Sequence, residues 1–274
     1  MSEGQKVIKY IAMAFAIFLI VNIIGGIITA FACIAGVTGI VSINSNTENM
    51  VDFSESYTQV EQIQIECKLS NLNIKQGTEF KIEATTIEDK FECENKDGIL
   101  KIREKELRFF LNTVSDSNIT VYIPENIKLT NVKIETGAGK VTIEKLCTDK
   151  LKLDLGAGSV KICDINVEKE TKINGGVGKV TIENSILNNL ELDCGVGEFE
   201  MTAKLIGDTD IDCGVGRLEV NLIGNEDDYK ISARKGLGSF KINSKEIQND
   251  TKYGNGQNNI KIDAGVGSTV IKYK

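Results

Sequence analysis

The side chains of this chain best placed for chemistry are carboxylates that recur at one position of a repeat. They lie two residues before each of seven Gly-x-Gly motifs, and the position holds Glu135, Asp154, Asn174, Asp193, Asp212, Arg234 and Asp263 in chain order. Like charges on adjacent strands repel, and divalent cations prefer carboxylate oxygens, so Asp193 and Asp212 form a candidate cation column. The alternative is a solvated acidic edge that neighbouring Lys and Arg neutralise. We favour that edge and predict no metal.

The thiols are the second candidate for chemistry. Seven cysteines are present, with no CxxC pair and no histidine to complete a zinc site. We predict free, mostly buried thiols. Cys194 and Cys213 hold equivalent positions in successive repeats and can face each other, so a disulfide between them stays open as the alternative.

Composition argues against an enzyme and against a cofactor. The chain has no histidine and no tryptophan, and aromatic residues make up 6% of it. A phosphate-binding Gly-x-Gly loop would open a helix, whereas a strand follows every motif here. The formal net charge is −7, with Lys and Glu interspersed and no basic stripe, so nucleic acid is not an expected partner. We therefore predict no catalytic residues and no cofactor.

The motifs recur at successive intervals of 19, 20, 19, 19, 22 and 29 residues, and period-two alternation on both sides of each motif predicts strands. Glycine permits the backbone to turn a corner there. The fold class predicted is all-β, a parallel β-solenoid (β-helix) of roughly 20-residue coils with two short strands per coil. The structural corner glycines are Gly137, Gly139, Gly156, Gly158, Gly176, Gly178, Gly195, Gly197, Gly214, Gly216, Gly236, Gly238, Gly265 and Gly267.

Stacked coils place equivalent residues about 4.8 Å apart, which predicts apolar columns. The middle residues of the corners form one column: Ala138, Ala157, Val177, Val196, Val215, Leu237 and Val266. Two more columns follow in the next strand: Val141, Val160, Val180, Phe199, Leu218, Phe240 and Thr269, then Ile143, Ile162, Ile182, Met201, Val220, Ile242 and Ile271. Thr269 breaks the pattern in the last copy, which we interpret as a capping unit.

A hydrophobic run over residues 7–43 predicts a transmembrane α-helix ahead of the solenoid. A hairpin turning at Gly25 and Gly26, or a cleaved signal peptide, are the alternatives. Lys6 precedes the run and Lys9 lies at its start, which predicts a cytoplasmic N-terminus over residues 1–6 and an extracytoplasmic C-terminal domain. Residues 44–57 are then a linker and residues 58–274 the solenoid domain, with insertions near 104–118 and 247–259.

The strand Ile119–Pro124, followed by residues 129–143 with their first glycine corner, resembles the DUF4097 family of bacterial candidate adhesins. The resemblance covers about residues 58–274 and implies a β-solenoid without established catalytic residues. We expect a single-pass protein of the bacterial cell membrane that serves as a non-catalytic, adhesin-like interaction module of the envelope. Its expected partners are the membrane, through residues 7–43, and cell-surface or envelope proteins or glycans. The alternative is an accessory protein of an envelope-stress signalling system that acts through its span.

Overall fold

Apolar and polar side chains alternate along most of this chain, so it forms β-strands that each have one buried face. The computed structural model describes residues 50–87, 90–105, 117–248 and 250–274. In that part of the chain, the single helical element is a 3-10 helix over Glu226–Asp228. No helix among these residues has the length and apolarity to cross a membrane, and the predicted span over 7–43 lies outside them.

Twenty-one strands form one hydrogen-bonded sheet that wraps around the core. The first eleven are β1 (Met50–Tyr57), β2 (Gln62–Cys67), β3 (Asn71–Gly77), β4 (Phe80–Ile87), β5 (Phe91–Lys96), β6 (Ile99–Glu104), β7 (Asn118–Pro124), β8 (Leu129–Ile143), β9 (Leu146–Cys163), β10 (Ile165–Asn174) and β11 (Val177–Asn188). The others are β12 (Leu190–Asp193), β13 (Val196–Ile206), β14 (Asp208–Asp212), β15 (Val215–Leu222), β16 (Tyr229–Arg234), β17 (Leu237–Ile242), β18 (Lys245–Glu246), β19 (Thr251–Tyr253), β20 (Asn258–Asp263) and β21 (Val266–Tyr273).

Successive coils stack as parallel rungs in register. The strand before each corner forms the first side of the solenoid, and the strand after the corner forms the second side. Val177 pairs with Val196, and Val196 pairs with Val215. The Val196 N–H donates to the Gly176 carbonyl at 2.9 Å, so the ladder continues through the corner. The predicted parallel β-solenoid is confirmed.

A third short strand closes the central coils, where the sequence analysis expects a polar return and two strands per coil. It consists of the starts of β9 and β10 and the ends of β11 and β13. Leu187 and Leu205 pair there and are fully buried. In the coil of β11, Asn184 and Asn189 lie at positive φ on either side of this third strand. The strand is too short for its alternation of apolar and polar residues to be recognised in the sequence.

At the C-terminal end the rungs stack out of chain order. β20 lies between β14 and β16, and β21 lies between β15 and β17. Thr269 is therefore buried between Leu218 and Phe240, and our interpretation of it as part of a capping unit is wrong. The longer spacings of 22 and 29 residues explain the difference, because they give the chain enough length to skip one rung and return.

Antiparallel strands cover both ends of the parallel stack. At one end β7 is covered by β4, β4 by β1, and β6 by β5. At the other end β18 pairs with β17, and β19 with β16. Since an uncovered strand edge is a template for aggregation, these strands act as caps.

Three predicted irregular segments are partly strand. Residues 50–57 of the predicted linker form β1, because they pair with the cap strand β4. The predicted insertion over 247–259 contains β19, which pairs with β16, and Ile247 is buried. The insertion over 104–118 begins and ends in strand, and its residues 106–116 lie outside the described residues.

The two apolar columns of the second side are interior, as predicted. Their members are each no more than 8% exposed, and Thr269 is 4% exposed. Each rung thus buries its aliphatic face against the rungs above and below, so the core depends on stacking rather than on any single coil.

Candidate interaction surface

At the Gly-x-Gly corners, backbone packs directly on the backbone of the neighbouring rung. A Cβ on any of the 14 corner glycines would lie less than 3.0 Å from a backbone oxygen of the adjacent rung. The second glycine of each pair also has φ between +135° and +145°, a region unfavourable for other residues. Both glycines are therefore required by the close stacking.

The middle residues of the corners form the predicted apolar column, but this column lies outside the core. Each middle side chain lies three positions before a buried residue of the next strand, so it is on the opposite face, because strand side chains alternate. Val177, Val196, Val215, Val266 and Leu237 are 39%, 45%, 40%, 47% and 71% exposed. We name this column the corner ridge; in spatial order it is Ala138, Ala157, Val177, Val196, Val215, Val266 and Leu237.

The corner ridge is a continuous apolar stripe. Seven rungs at about 4.8 Å give it a length of about 29 Å. Contiguous exposed apolar surface on a folded domain marks an interaction site more often than isolated apolar side chains do. Because its backbone is held in the rung ladder, the stripe is rigid before any partner arrives.

Two charged columns flank the corner ridge. The acidic column on the first side has a formal charge of −4, from five carboxylates and one guanidinium; in spatial order it is Glu135, Asp154, Asn174, Asp193, Asp212, Asp263 and Arg234. The post-corner column on the second side has a formal charge of +2; it is Lys140, Ser159, Lys179, Glu198, Arg217, Ser268 and Ser239.

The structure brings Asp193 and Asp212 together as register partners. One Asp193 carboxylate oxygen accepts the Gly195 N–H at 2.9 Å and so supports the corner. Asp263 is the next rung, and Arg234 and Lys261 lie 3.4 and 3.3 Å from its carboxylate. No group of three or more His, Cys, Asp or Glu side chains is arranged to hold a metal ion in the described part of the chain. The solvated acidic edge without a metal stays a prediction, and the cation column stays its untested alternative.

One buried carboxylate was missed by the sequence analysis. Glu104 is 6% exposed, and it accepts the backbone N–H groups of Lys68, Leu69 and Ser70 at 2.6, 3.1 and 3.3 Å, together with the Ser70 hydroxyl. These groups form the corner of the β2–β3 coil, which has no glycine pair. The glycine-free corner was the available signal, because its N–H groups needed another acceptor.

The six cysteines of the described residues are free, and Cys33 lies outside those residues. Cys67 is the one buried thiol among these six and the other five are partly exposed, so the prediction of mostly buried thiols is wrong for this part of the chain. Cys194 and Cys213 are stacked as predicted, with a hydrogen bond between their thiols. That bond lowers the pKa of Cys213, and the same bond together with burial raises the pKa of Cys194. The Thr269 hydroxyl also contacts Cys213, which gives this interior polar group a partner. The cavity beside them is about 20 Å³, large enough for a water molecule and too small for an organic ligand.

Charge pairs between rungs line the exterior. Asp149 lies between two lysines, with Lys169 Nζ 2.7 Å from one carboxylate oxygen and Lys128 Nζ 3.0 Å from the other. Hydrogen bonds from Lys169 and then Lys128 lower the pKa of Asp149. The charges of these exterior pairs are therefore balanced by other side chains of the same chain.

A family described as Toastrack DUF4097 matches residues 60–265. No curated protein matches the chain.

Several solved structures are similar to the chain at low identity. A candidate cell-adhesion protein from Clostridium sporogenes is 18% identical; the match covers 82% of this chain and 100% of that chain, with a TM-score of 0.39. A candidate adhesin from Bacteroides fragilis is 14% identical, covering 82% and 98%, with a TM-score of 0.46. A candidate lipid-binding protein from Parabacteroides distasonis is 14% identical, covering 85% and 99%, with a TM-score of 0.36. Such distant likenesses carry no argument about what this chain binds.

Proposed function

The chain belongs to the Toastrack DUF4097 family, and from that premise we propose that it is a non-catalytic interaction module of the bacterial cell envelope. Residues 7–43 hold it in the cytoplasmic membrane as a single span, and the solenoid lies on the extracytoplasmic side. Its partners are envelope proteins or cell-surface glycans.

A non-catalytic role is supported by what the charged side chains do. Many of them pair with opposite charges on their own or neighbouring rungs, as Lys150 does with Glu170 at 2.8 Å. The chain contains no histidine, the usual general base.

The corner ridge is the observation that carries an interaction role. An apolar stripe on an exposed corner adds nothing to the core, and five of its seven members are more than a third exposed. Repeat proteins use such extended, regular surfaces for binding. The stripe is rigid, so binding would order few additional groups and lose little conformational entropy.

The topology is tested by protease treatment of spheroplasts that express the full chain with an epitope tag after Lys274. Proteinase K should remove this tag while a cytoplasmic marker survives, and a tag placed before Met1 should stay protected. A C-terminal tag that survives until lysis would contradict the proposal. Retention of the protein by purified cell wall, compared with retention by membrane proteins, then separates a surface role from a signalling accessory role.

A further inference from the structure

We propose that the corner ridge is the contact surface of a parallel homodimer. Its occupant is the corner ridge of a second copy of this chain, related by a two-fold axis that runs along the stacking direction. The geometry of this contact comes from the solenoid alone, whereas its formation in cells rests on the proposed membrane span.

The first reason is the spacing of the ridge residues. Val177, Val196 and Val215 are successive register partners, about 4.8 Å apart. Identical β-branched side chains stacked at this spacing fit closely against another column of the same spacing, as in the dry interfaces between paired sheets. A helical partner advances about 5.4 Å per turn, so it would be half a period out of phase after about four rungs. A second copy stays in phase over the whole ridge.

The second reason is the absence of side chains beside the ridge residues. Val196 lies between Gly195 and Gly197, and every other ridge residue is also placed between two glycines. An opposing valine column can therefore approach without meeting neighbouring side chains. Close approach increases the van der Waals contact that such a narrow stripe can make.

The third reason is charge, and it selects the orientation. In the parallel arrangement the acidic column of each copy, with formal charge −4, faces the post-corner column of the other copy, with formal charge +2. Asp212 then faces Arg217 of the partner, whose guanidinium also pairs with Glu219 of its own chain, while Asp193 faces Glu198. An antiparallel arrangement would place the two acidic columns against each other. Complementary charges favour the parallel arrangement, and like charges oppose the other.

The size of the ridge sets the expected affinity. A stripe about 29 Å long and one side chain wide buries about 300 Å² per copy, well below the roughly 800 Å² per partner of a stable interface. The dimer should therefore be weak in dilute solution, with a dissociation constant in the micromolar range or above. Two copies in one membrane have a high effective concentration, so the contact should form there.

The experiment uses the full chain in bacterial membranes, with Leu237 replaced by the photocrosslinker p-benzoylphenylalanine. Leu237 is 71% exposed and lies on the last rung of the ridge, so it reports orientation. Illumination should give a dimer whose crosslinked peptide contains residues 236–238 or 265–267 of the second copy. Crosslinks to residues 137–139 would show an antiparallel pair and overturn the proposal. Adducts with other molecules only, or no adduct, would also overturn it.

The matched control places the same photocrosslinker at Ile186. This side chain is 38% exposed and lies on the third side, so it should give no dimer, whereas the photocrosslinker at Val177, which is 39% exposed and lies on the ridge, should give one. Asp212→Arg and Arg217→Asp should each reduce the Leu237 adduct severalfold, and the double variant should restore it. A double variant that gives less adduct than either single variant would contradict the facing of the two columns. Thermal unfolding of each variant checks that the solenoid remains folded.

Discussion

Replacing Gly197 by Ala should destabilise the solenoid far more than an ordinary glycine substitution. The added Cβ would lie less than 3.0 Å from the Gly178 carbonyl oxygen, so the rungs would have to separate at the corner. The left-handed backbone of a non-glycine residue costs about 1–2 kcal/mol. Overpacking adds about 1–3 kcal/mol, and a weakened corner hydrogen bond adds about 1 kcal/mol. We expect the free energy of unfolding to fall by about 4 kcal/mol.

Two other glycines separate the causes. Gly98 has φ +76°, and its added Cβ would meet no atom closer than 3.5 Å, so Gly98→Ala carries the backbone cost alone, about 1 kcal/mol. Gly214 has an ordinary φ, but its Cβ would also lie less than 3.0 Å from a carbonyl oxygen, that of Gly195. Gly214→Ala therefore isolates the contact, and about 3 kcal/mol is expected.

The assay is urea unfolding of the full chain in detergent micelles, followed by far-ultraviolet circular dichroism. Gly197→Ala should lower the midpoint most, Gly214→Ala next and Gly98→Ala least. A second transition in Gly197→Ala, from rungs on one side of the altered corner, would agree with nearest-neighbour stacking. Equal losses for Gly197→Ala and Gly98→Ala would refute the claim that backbone stacking requires the corner glycines.

Three further predictions concern single side chains. Glu104→Ala should lower the free energy of unfolding by about 3 kcal/mol, because three backbone N–H groups and the buried Ser70 hydroxyl lose their acceptor, and Glu104→Gln should cost about half as much in the same assay; a loss below about 1 kcal/mol for Ala would contradict this role. The lowered pKa of Asp149 gives stability that is present above about pH 4 and is lost as the pH falls through the folded-state pKa, so Asp149→Asn should show a smaller drop in Tm between pH 7 and pH 3 than the parent; an equal drop would argue against the lysine pair. Iodoacetamide at neutral pH should modify the partly exposed Cys194 and Cys213, while buried Cys67, whose pKa burial raises, stays unmodified in peptide mapping; comparable labelling of Cys67 would contradict the assignment.

The repeat itself could be predicted because stacking imposes the same requirement on every rung. Backbone contact at Gly178 and Gly197 excludes side chains, and burial at Ile182 and Met201 requires apolar ones. The same residue types therefore recur in the sequence, at nearly regular intervals in the central coils. A structural requirement that repeats in this way can be recognised from the sequence alone.

The order of the outer rungs could not be predicted in the same way. Each rung accepts any neighbour with the same pattern, so the sequence around Val266 fits equally well outside or inside the rung of Leu237. The choice depends on the segment over 243–257 and on the caps β18 and β19, which pair antiparallel and carry no repeat. Thr269 was misplaced for this reason.

The exposure of the corner ridge also needed the structure. Val196 in the corner and Phe199 in the next strand are both apolar, yet one is 45% and the other 1% exposed. Composition does not distinguish them, because the side of the strand depends on where the glycine corner turns the chain. Glu104 was missed because its partners are 34 to 36 residues away in the chain, and no local pattern connects them.

The most direct measurement is a methyl–methyl nuclear Overhauser experiment on the full chain in micelles, with valine and leucine methyl groups labelled. Strong cross-peaks should connect Val177 to Val196, Val196 to Val215, and Val215 to Val266, since these residues occupy adjacent rungs. Val215 and Leu237 lie two rungs apart, about 9.6 Å, and should show none. A strong cross-peak between Val215 and Leu237, with none between Val215 and Val266, would contradict the stacking described above.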